Sequence, residues 1–123
     1  MKIYESAEDY LETILMLKKR LGAVRSIDVV NELGFSKPSV SIAMKKLRES
    51  DLVTVDNSGH IELTESGMEI ATSIYARHEF FTDVLTRMGV TPAVAKEDAC
   101  KLEHHLSDES FEKLKLFFTK HNF

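Results

Sequence analysis

Apolar residues recur near the start of the chain at the three- and four-residue spacing of an amphipathic helix: Leu11, Ile14, Leu15, Leu17 and Leu21. The pattern predicts a helix from about Ser6 to Arg20. Ser6 is its expected N-cap, Asp9 sits at N3 in a near-match to the capping box, and Gly22 is its stop. Ser26 is expected to cap a short second helix over "IDVVNELG" that ends at Gly34. After the turn at Phe35-Ser36, Ser36 caps a third helix, "KPSVSIAMKKLRESD", with Pro38 in its first turn and Val40, Ala43, Met44 and Leu47 facing inward.

The period then changes. Val53 and Val55, and again Ile61 and Leu63, alternate with polar residues around Asn57-Ser58-Gly59, which predicts a two-stranded hairpin. Helical periodicity returns from Glu65 to about Met88 behind a Thr64 cap, through Met68, Ile70, Ala71, Ile74, Tyr75, Phe81, Val84 and Leu85. Gly89 ends that helix. Thr91-Pro92 opens another, "AVAKEDACKLEHHL", and Ser107 opens the last, "DESFEKLKLFF", with Phe111, Leu114, Phe117 and Phe118 on its apolar side. The expected fold is mainly α. A winged helix-turn-helix, a DNA-binding domain over 1–64, precedes an all-helical dimerisation and metal-binding domain over 65–123. The second half is small for a core of its own and is expected to pack against a twin, giving a homodimer.

A recognition helix presents short side chains to base edges in the major groove and cations to phosphates. Lys37, Ser39 and Ser41 near the start of the third helix suit the first task, and Lys45, Lys46 and Arg48 suit the second; Ser36 and Pro38, at the same leading end, complete the candidate DNA-binding set. The plainer alternative is a solvated helix face, or a winged helix that binds protein as an interaction or architectural subunit.

Candidate metal ligands lie at both ends of the chain. Asp9 and Glu12 share a face of the first helix, and Cys100, Glu103 and His104 fall at i, i+3 and i+4 near the end. His78, on the long helix, could complete the set. Thiolate, carboxylate and imidazole together suit a divalent transition metal and not calcium or magnesium. The thiolate biases the set toward iron, cobalt or zinc, and the carboxylates keep manganese open. Each residue also has a bland reading. Cys100 alone is more often a small buried hydrophobe, Asp9 a capping residue, Glu12 and Glu103 solvated carboxylates, and His78 a hydrogen-bonded histidine. A tight structural zinc site is a further alternative.

Composition changes this picture little. The 123 residues carry ordinary hydrophobic content and a net charge of −4, which argues against non-specific coating of nucleic acid but not against a local basic face. One cysteine excludes an intramolecular disulfide. No membrane span or signal peptide is evident, so a cytoplasmic protein is expected. No nucleophile–base pair or substrate pocket is suggested, so neither an enzyme nor a small-molecule substrate is expected.

The segments "EDYLETI", "GFSKPSVSIAMKKL", "GHIELTESG", "YARHEFF" and "EHHLS" together resemble the diphtheria-toxin-repressor-like family of metal-dependent transcriptional regulators. The likeness covers essentially the whole chain and is nearest to the short manganese-transport-regulator branch, which lacks the SH3-like third domain. It implies a homodimer that binds double-stranded operator DNA when charged with Mn(II) or Fe(II), with Co(II) or Zn(II) as surrogates, and represses metal-uptake genes. By position, Asp9, Glu12, His78, Glu103 and His104 match ligands of the manganese branch. Cys100 departs from it, since that branch has glutamate there and the iron-responsive branch has cysteine. The iron branch in turn has methionine where this chain has Asp9. Thr82 and Lys96 stand where the iron branch's ancillary site has a glutamate and a histidine. The resemblance therefore implies a hybrid centre with one well-formed site per subunit.

Overall fold

A computed structural model of the chain describes residues 5–121, which form six helices and one hairpin. Two compact units divide the chain, 1–72 and 73–123, with the boundary inside the long fourth helix. No helix among the described residues is long and apolar enough to cross a membrane.

In the first unit, α1 (Glu5–Leu21), α2 (Ser26–Leu33) and α3 (Lys37–Glu49) precede β1 (Val53–Val55) and β2 (Ile61–Leu63). The apolar stripe of α1 is buried at Leu11, Ile14, Leu15 and Leu17, while Leu21 at the helix end is exposed. Val24, Val29, Val40, Met44, Leu47, Val53 and Ile61 complete this core. Full burial of such side chains contributes about 1.5–3 kcal/mol each. The strands pair antiparallel with Val53 opposite Leu63 and Val55 opposite Ile61, in the alternation read from the sequence. The turn is held by Asp56, whose Oδ1 accepts from the Ser58 and His60 amides at 2.9 Å each. Gly59 there adopts a φ of 82°, a left-handed conformation that glycine reaches without Cβ strain.

Two caps differ from expectation. Ser6 lies inside α1, which already runs from Glu5. The N-cap of α2 is Arg25, not Ser26: the Arg25 amide donates to Asp28 Oδ2 at 2.9 Å, which is the N3-carboxylate half of a capping box. Ser36 caps α3 as read, accepting from the Ser39 amide.

The long helix α4 (Glu65–Arg87) starts with an unusually close backbone contact. Thr64 Oγ1 accepts from the Gly67 amide and donates to the Asp51 carbonyl, and the Thr64 amide donates to the Leu52 carbonyl. A Cβ on Gly67 would stand 2.0 Å from that Leu52 oxygen, so only glycine lets the helix start here.

The second unit holds the rest of α4, α5 (Pro92–Leu102) and α6 (Asp108–Lys120). Its core is aromatic: Phe81 and Phe111 pack with Ala99, flanked by Phe80, Leu106 and Leu114. Phe80 meets Phe111 edge-on at 5.5 Å between ring centroids. Ala95 and Ala99 are fully buried, their small side chains letting α5 approach closely. Ser107 caps α6 through the Ser110 amide, as read. The sequence pattern predicts that α5 continues through the two histidines. The helix stops at Leu102, and Glu103 is its C-cap.

Candidate metal centre and nucleic-acid interface

Within the second unit, α4 presents His78 and the end of α5 presents Cys100 and Glu103 to one point. His78 Nδ1 lies 2.9 Å from Glu103 Oε2 and 3.7 Å from Cys100 Sγ. One donor atom from each of the three residues falls within 4.8 Å of the others. The Glu103 side chain is 0% exposed and that of His78 is 12% exposed, whereas Cys100 stands at the open side. The spacing of Cys100 and Glu103 works because Glu103 keeps a right-handed helical conformation at the cap, with its amide on the Ala99 carbonyl.

His104 enters differently from the one-face picture. It lies past the end of α5, and its Nε2 is 3.3 Å from the other Glu103 oxygen, Oε1. Glu103 thus stands between two imidazoles. Among the described residues no lysine or arginine pairs with its carboxylate, and Oε1 has no hydrogen bond. An ionised carboxylate at this depth is costly without compensation. A divalent cation would supply it, and the imidazole, thiol and carboxyl donors suit a borderline transition metal. The donor set therefore fits the metal implied by the sequence.

Asp9 and Glu12 belong to the first unit, on one face of α1, with Asp9 partly and Glu12 almost wholly buried. Thr82 and Lys96 line an open cleft of about 380 Å³ beside His78, together with Glu79, Asp83 and Thr86. Neither belongs to the three-residue cluster.

One residue of this region escaped the sequence reading. Arg77, next to His78, is buried; its Nη1 donates to the Glu103 carbonyl at 3.2 Å and to the Leu106 carbonyl, and its Nη2 pairs with Asp108. A signal was present. Arg77 falls on the inward stripe Ile74, Arg77, Phe81, Val84, where a charged residue needs a partner.

The third helix carries its polar residues outward. Ser36, Lys37, Pro38, Ser39, Ser41, Lys45 and Lys46 are all exposed, while Val40, Met44 and Leu47 are buried. The Ser36 hydroxyl donates to Ser39 Oγ at 2.8 Å. Ile42, off the inward stripe of the sequence pattern, is 58% exposed and shares this outer side. It lines a cleft of about 260 Å³ with Ser39, Ala43, Lys46 and Leu47, closed on the other side by Ser6, Ala7 and Tyr10 of α1.

Comparison with known proteins agrees with both halves of this description. Residues 2–61 match the family described as "Iron dependent repressor, N-terminal DNA binding domain". Residues 64–122 match "Iron dependent repressor, metal binding and dimerisation domain". The transcriptional regulator MntR of Escherichia coli is 33% identical over 117 residues, 95% of this chain and 76% of the relative. An uncharacterised HTH-type transcriptional regulator of Methanocaldococcus jannaschii is 36% identical over 118 residues, 94% of each chain. Among solved structures, the manganese regulator SloR superposes with a TM-score of 0.80 at 32% identity, over 97% of this chain and 55% of that one. A manganese-dependent transcriptional repressor in complex with manganese gives 0.82 at 26% identity, over 92% and 52%. The chain thus spans about half the length of those two structures. With both halves matched in order and a relative 33% identical over 95% of this chain, the chain belongs to the diphtheria-toxin-repressor and MntR family of metal-dependent transcriptional regulators.

Proposed function

We propose that this chain is a metal-responsive repressor that binds operator DNA as a homodimer and controls manganese or iron uptake. The observation that carries the reading is the convergence of His78 Nδ1, Cys100 Sγ and the buried Glu103 carboxylate. A bound cation supplies the positive charge that this carboxylate lacks. His104, whose Nε2 stands 3.3 Å from Glu103 Oε1, is a further candidate donor. Asp9 and Glu12, which share a face of α1, are proposed as additional ligands on the resemblance of their positions to ligands of the family. Ligation from α1 would link metal loading to the placement of the recognition helix. Metal then favours the DNA-competent shape by the difference in its affinity for the two shapes.

The thiolate sets the expected metal. Cys100 raises preference for softer ions, and manganese binds weakest in the divalent series, so Fe(II) or Co(II) should bind more tightly than Mn(II). Availability in the cell also decides which metal acts. On the DNA side, Ser39 and Ser41 are the proposed base readers, and Ile42 offers an apolar surface suited to a thymine methyl. Lys37 is proposed with the two serines, and Lys45 and Lys46 are the proposed phosphate contacts. The description of the similar protein SloR as a manganese regulator supports manganese as a candidate effector.

The deciding experiment selects duplexes from a randomised pool with the metal-loaded protein, then measures affinity by fluorescence anisotropy with Mn(II), with anaerobic Fe(II) and with chelator. Sequence-specific, metal-dependent retention is expected. Equal affinity for every duplex, or indifference to metal, would contradict the proposal. The cysteine in the donor set favours one second reading, a structural zinc site. Non-exchanging zinc required for folding, with no effect on DNA, would point there.

A further inference from the structure

We infer that Arg77 is a positioning residue of the metal centre: it fixes the backbone turn that carries Glu103 and His104, and so sets where their donor atoms stand. The inference rests on the metal-binding reading above and adds a residue with no donor atom of its own.

Helix α5 ends at Leu102 and the chain must turn before α6 starts at Asp108. The turn leaves carbonyls at the helix end without partners in the helix ladder. Arg77 reaches across from α4 and meets two carbonyls of this segment with one nitrogen, Glu103 at the helix end and Leu106 before α6, while its other terminal nitrogen pairs with Asp108 in the first turn of α6. A cation at the C-terminal end of α5 is also favourable to that helix's dipole, as the Asp108 carboxylate is to the start of α6. The guanidinium lies 5.1 Å from the Phe111 ring centroid, over its face, which holds its plane. The Arg77 side chain is 6% exposed, so these bonds compete little with water.

The next residue, His78, bonds the Glu103 side chain. Consecutive helix residues point about 100° apart. Arg77 and His78 therefore hold Glu103 from two directions, one by its main chain and one by its carboxylate. His104 follows directly, so its imidazole swings with the same peptide. Releasing the Glu103 carbonyl would free the turn and blur both donor positions. A lysine has one compact ammonium in place of a planar fork and cannot hold two carbonyls and a carboxylate in the same geometry.

The test uses Co(II) as probe, titrated into the full chain and followed by its d–d and thiolate-to-cobalt absorption. Wild type is compared with Arg77→Met and Arg77→Lys, and far-UV circular dichroism of the metal-free proteins checks folding. Loss of such an outer partner commonly weakens metal binding roughly 10–100-fold. Arg77→Met should fall in that range and Arg77→Lys between it and wild type, and both should show altered d–d bands at saturating Co(II). Wild-type affinity in the folded variants, or weaker binding with an unchanged spectrum at saturation, would overturn the inference. If wild type itself bound no Co(II), the failure would be that of the metal-binding reading. Should both variants unfold, ¹⁵N-labelled wild type carries the test with Zn(II). The Arg77 side-chain resonances should shift together with those of the His78 imidazole, and an unmoved Arg77 signal would overturn the inference.

Discussion

A buried carboxylate with two imidazoles for neighbours is the residue on which the chemistry turns. Glu103→Gln keeps the shape and removes the charge. We expect it to weaken metal-dependent DNA binding and leave weak metal-free binding as it was, because a metal contributes only its differential affinity for the two states. Anisotropy at limiting Mn(II) and Fe(II) checks this, and equal curves for wild type and variant would count against it. Cys100 makes a separate claim. Its sulfur lies 3.7 Å from His78 Nδ1, so a shared cation should give a cobalt–thiolate charge-transfer band. Cys100→Ala should abolish that band, and Cys100→Glu should narrow the gap between Fe(II) or Co(II) and Mn(II). An unchanged cobalt spectrum in Cys100→Ala would take Cys100 out of the donor set. At this scale the sequence spacing is informative for Cys100 and Glu103, since a helical cap keeps the i, i+3 relation. For His104 only the helix end differs: nothing in "CKLEHHLS" marks the stop at Leu102, yet His104 Nε2 still lies 3.3 Å from Glu103 Oε1. The turn that follows is held by Arg77, which is 26 residues away from Glu103 and invisible to local pattern.

Between residue and molecule, the informative elements are the wing and the start of α4. In the wing turn, hydrogen bonds from the His60 and Ser58 amides hold the Asp56 carboxyl below its usual value. A lowered folded-state pKa means the ionised form supports the turn. That support is complete above the ordinary carboxylate pKa and is lost as pH falls through the lowered value. Amide exchange at Ser58 and His60, compared with exchange in Asp56→Ala, should therefore show protection that disappears in acid in wild type and is missing from the variant. Protection that is independent of pH would contradict this. At the start of α4, alanine ordinarily favours a helix over glycine by about 1 kcal/mol. Gly67→Ala should nonetheless destabilise, because its Cβ would overlap the Leu52 carbonyl. The expected loss is roughly 1–3 kcal/mol, the range for overpacking, read as a lower urea midpoint. A gain in stability would show that the backbone can shift. The elements themselves were legible because Ser36, Thr64 and Ser107 are genuine caps and the period changes sharply at Val53. Gly67 was silent in the sequence, where a glycine inside a helical pattern gives no hint of what it approaches.

On the scale of the whole molecule, the proposal requires two copies. Leu116 and Phe117 of α6 are large, apolar and exposed, Phe117 by 57%, outside a core already filled by Phe81 and Phe111. We expect Phe117→Asp to shift the sedimentation coefficient from dimer to monomer at micromolar concentration, and to lower affinity for a two-half-site duplex far more than for a single half-site. A wild-type monomer with and without metal would contradict the homodimer. The net charge of −4 per chain does not oppose DNA binding, because Lys37, Lys45 and Lys46 gather on one outward helix. Replacing Lys45 or Lys46 should weaken all duplexes alike and reduce the salt slope by about one for each phosphate left without its cation. The central claim is that metal at His78, Cys100 and Glu103 governs DNA affinity. Its most direct test is one titration: anisotropy of a selected duplex against wild type and Glu103→Gln, with chelator and then with anaerobic Fe(II). The expected result is tight, sequence-specific binding by metal-loaded wild type alone, with the other three conditions equally weak. Binding by wild type that is unaffected by chelator, or matched by metal-loaded Glu103→Gln, would contradict it.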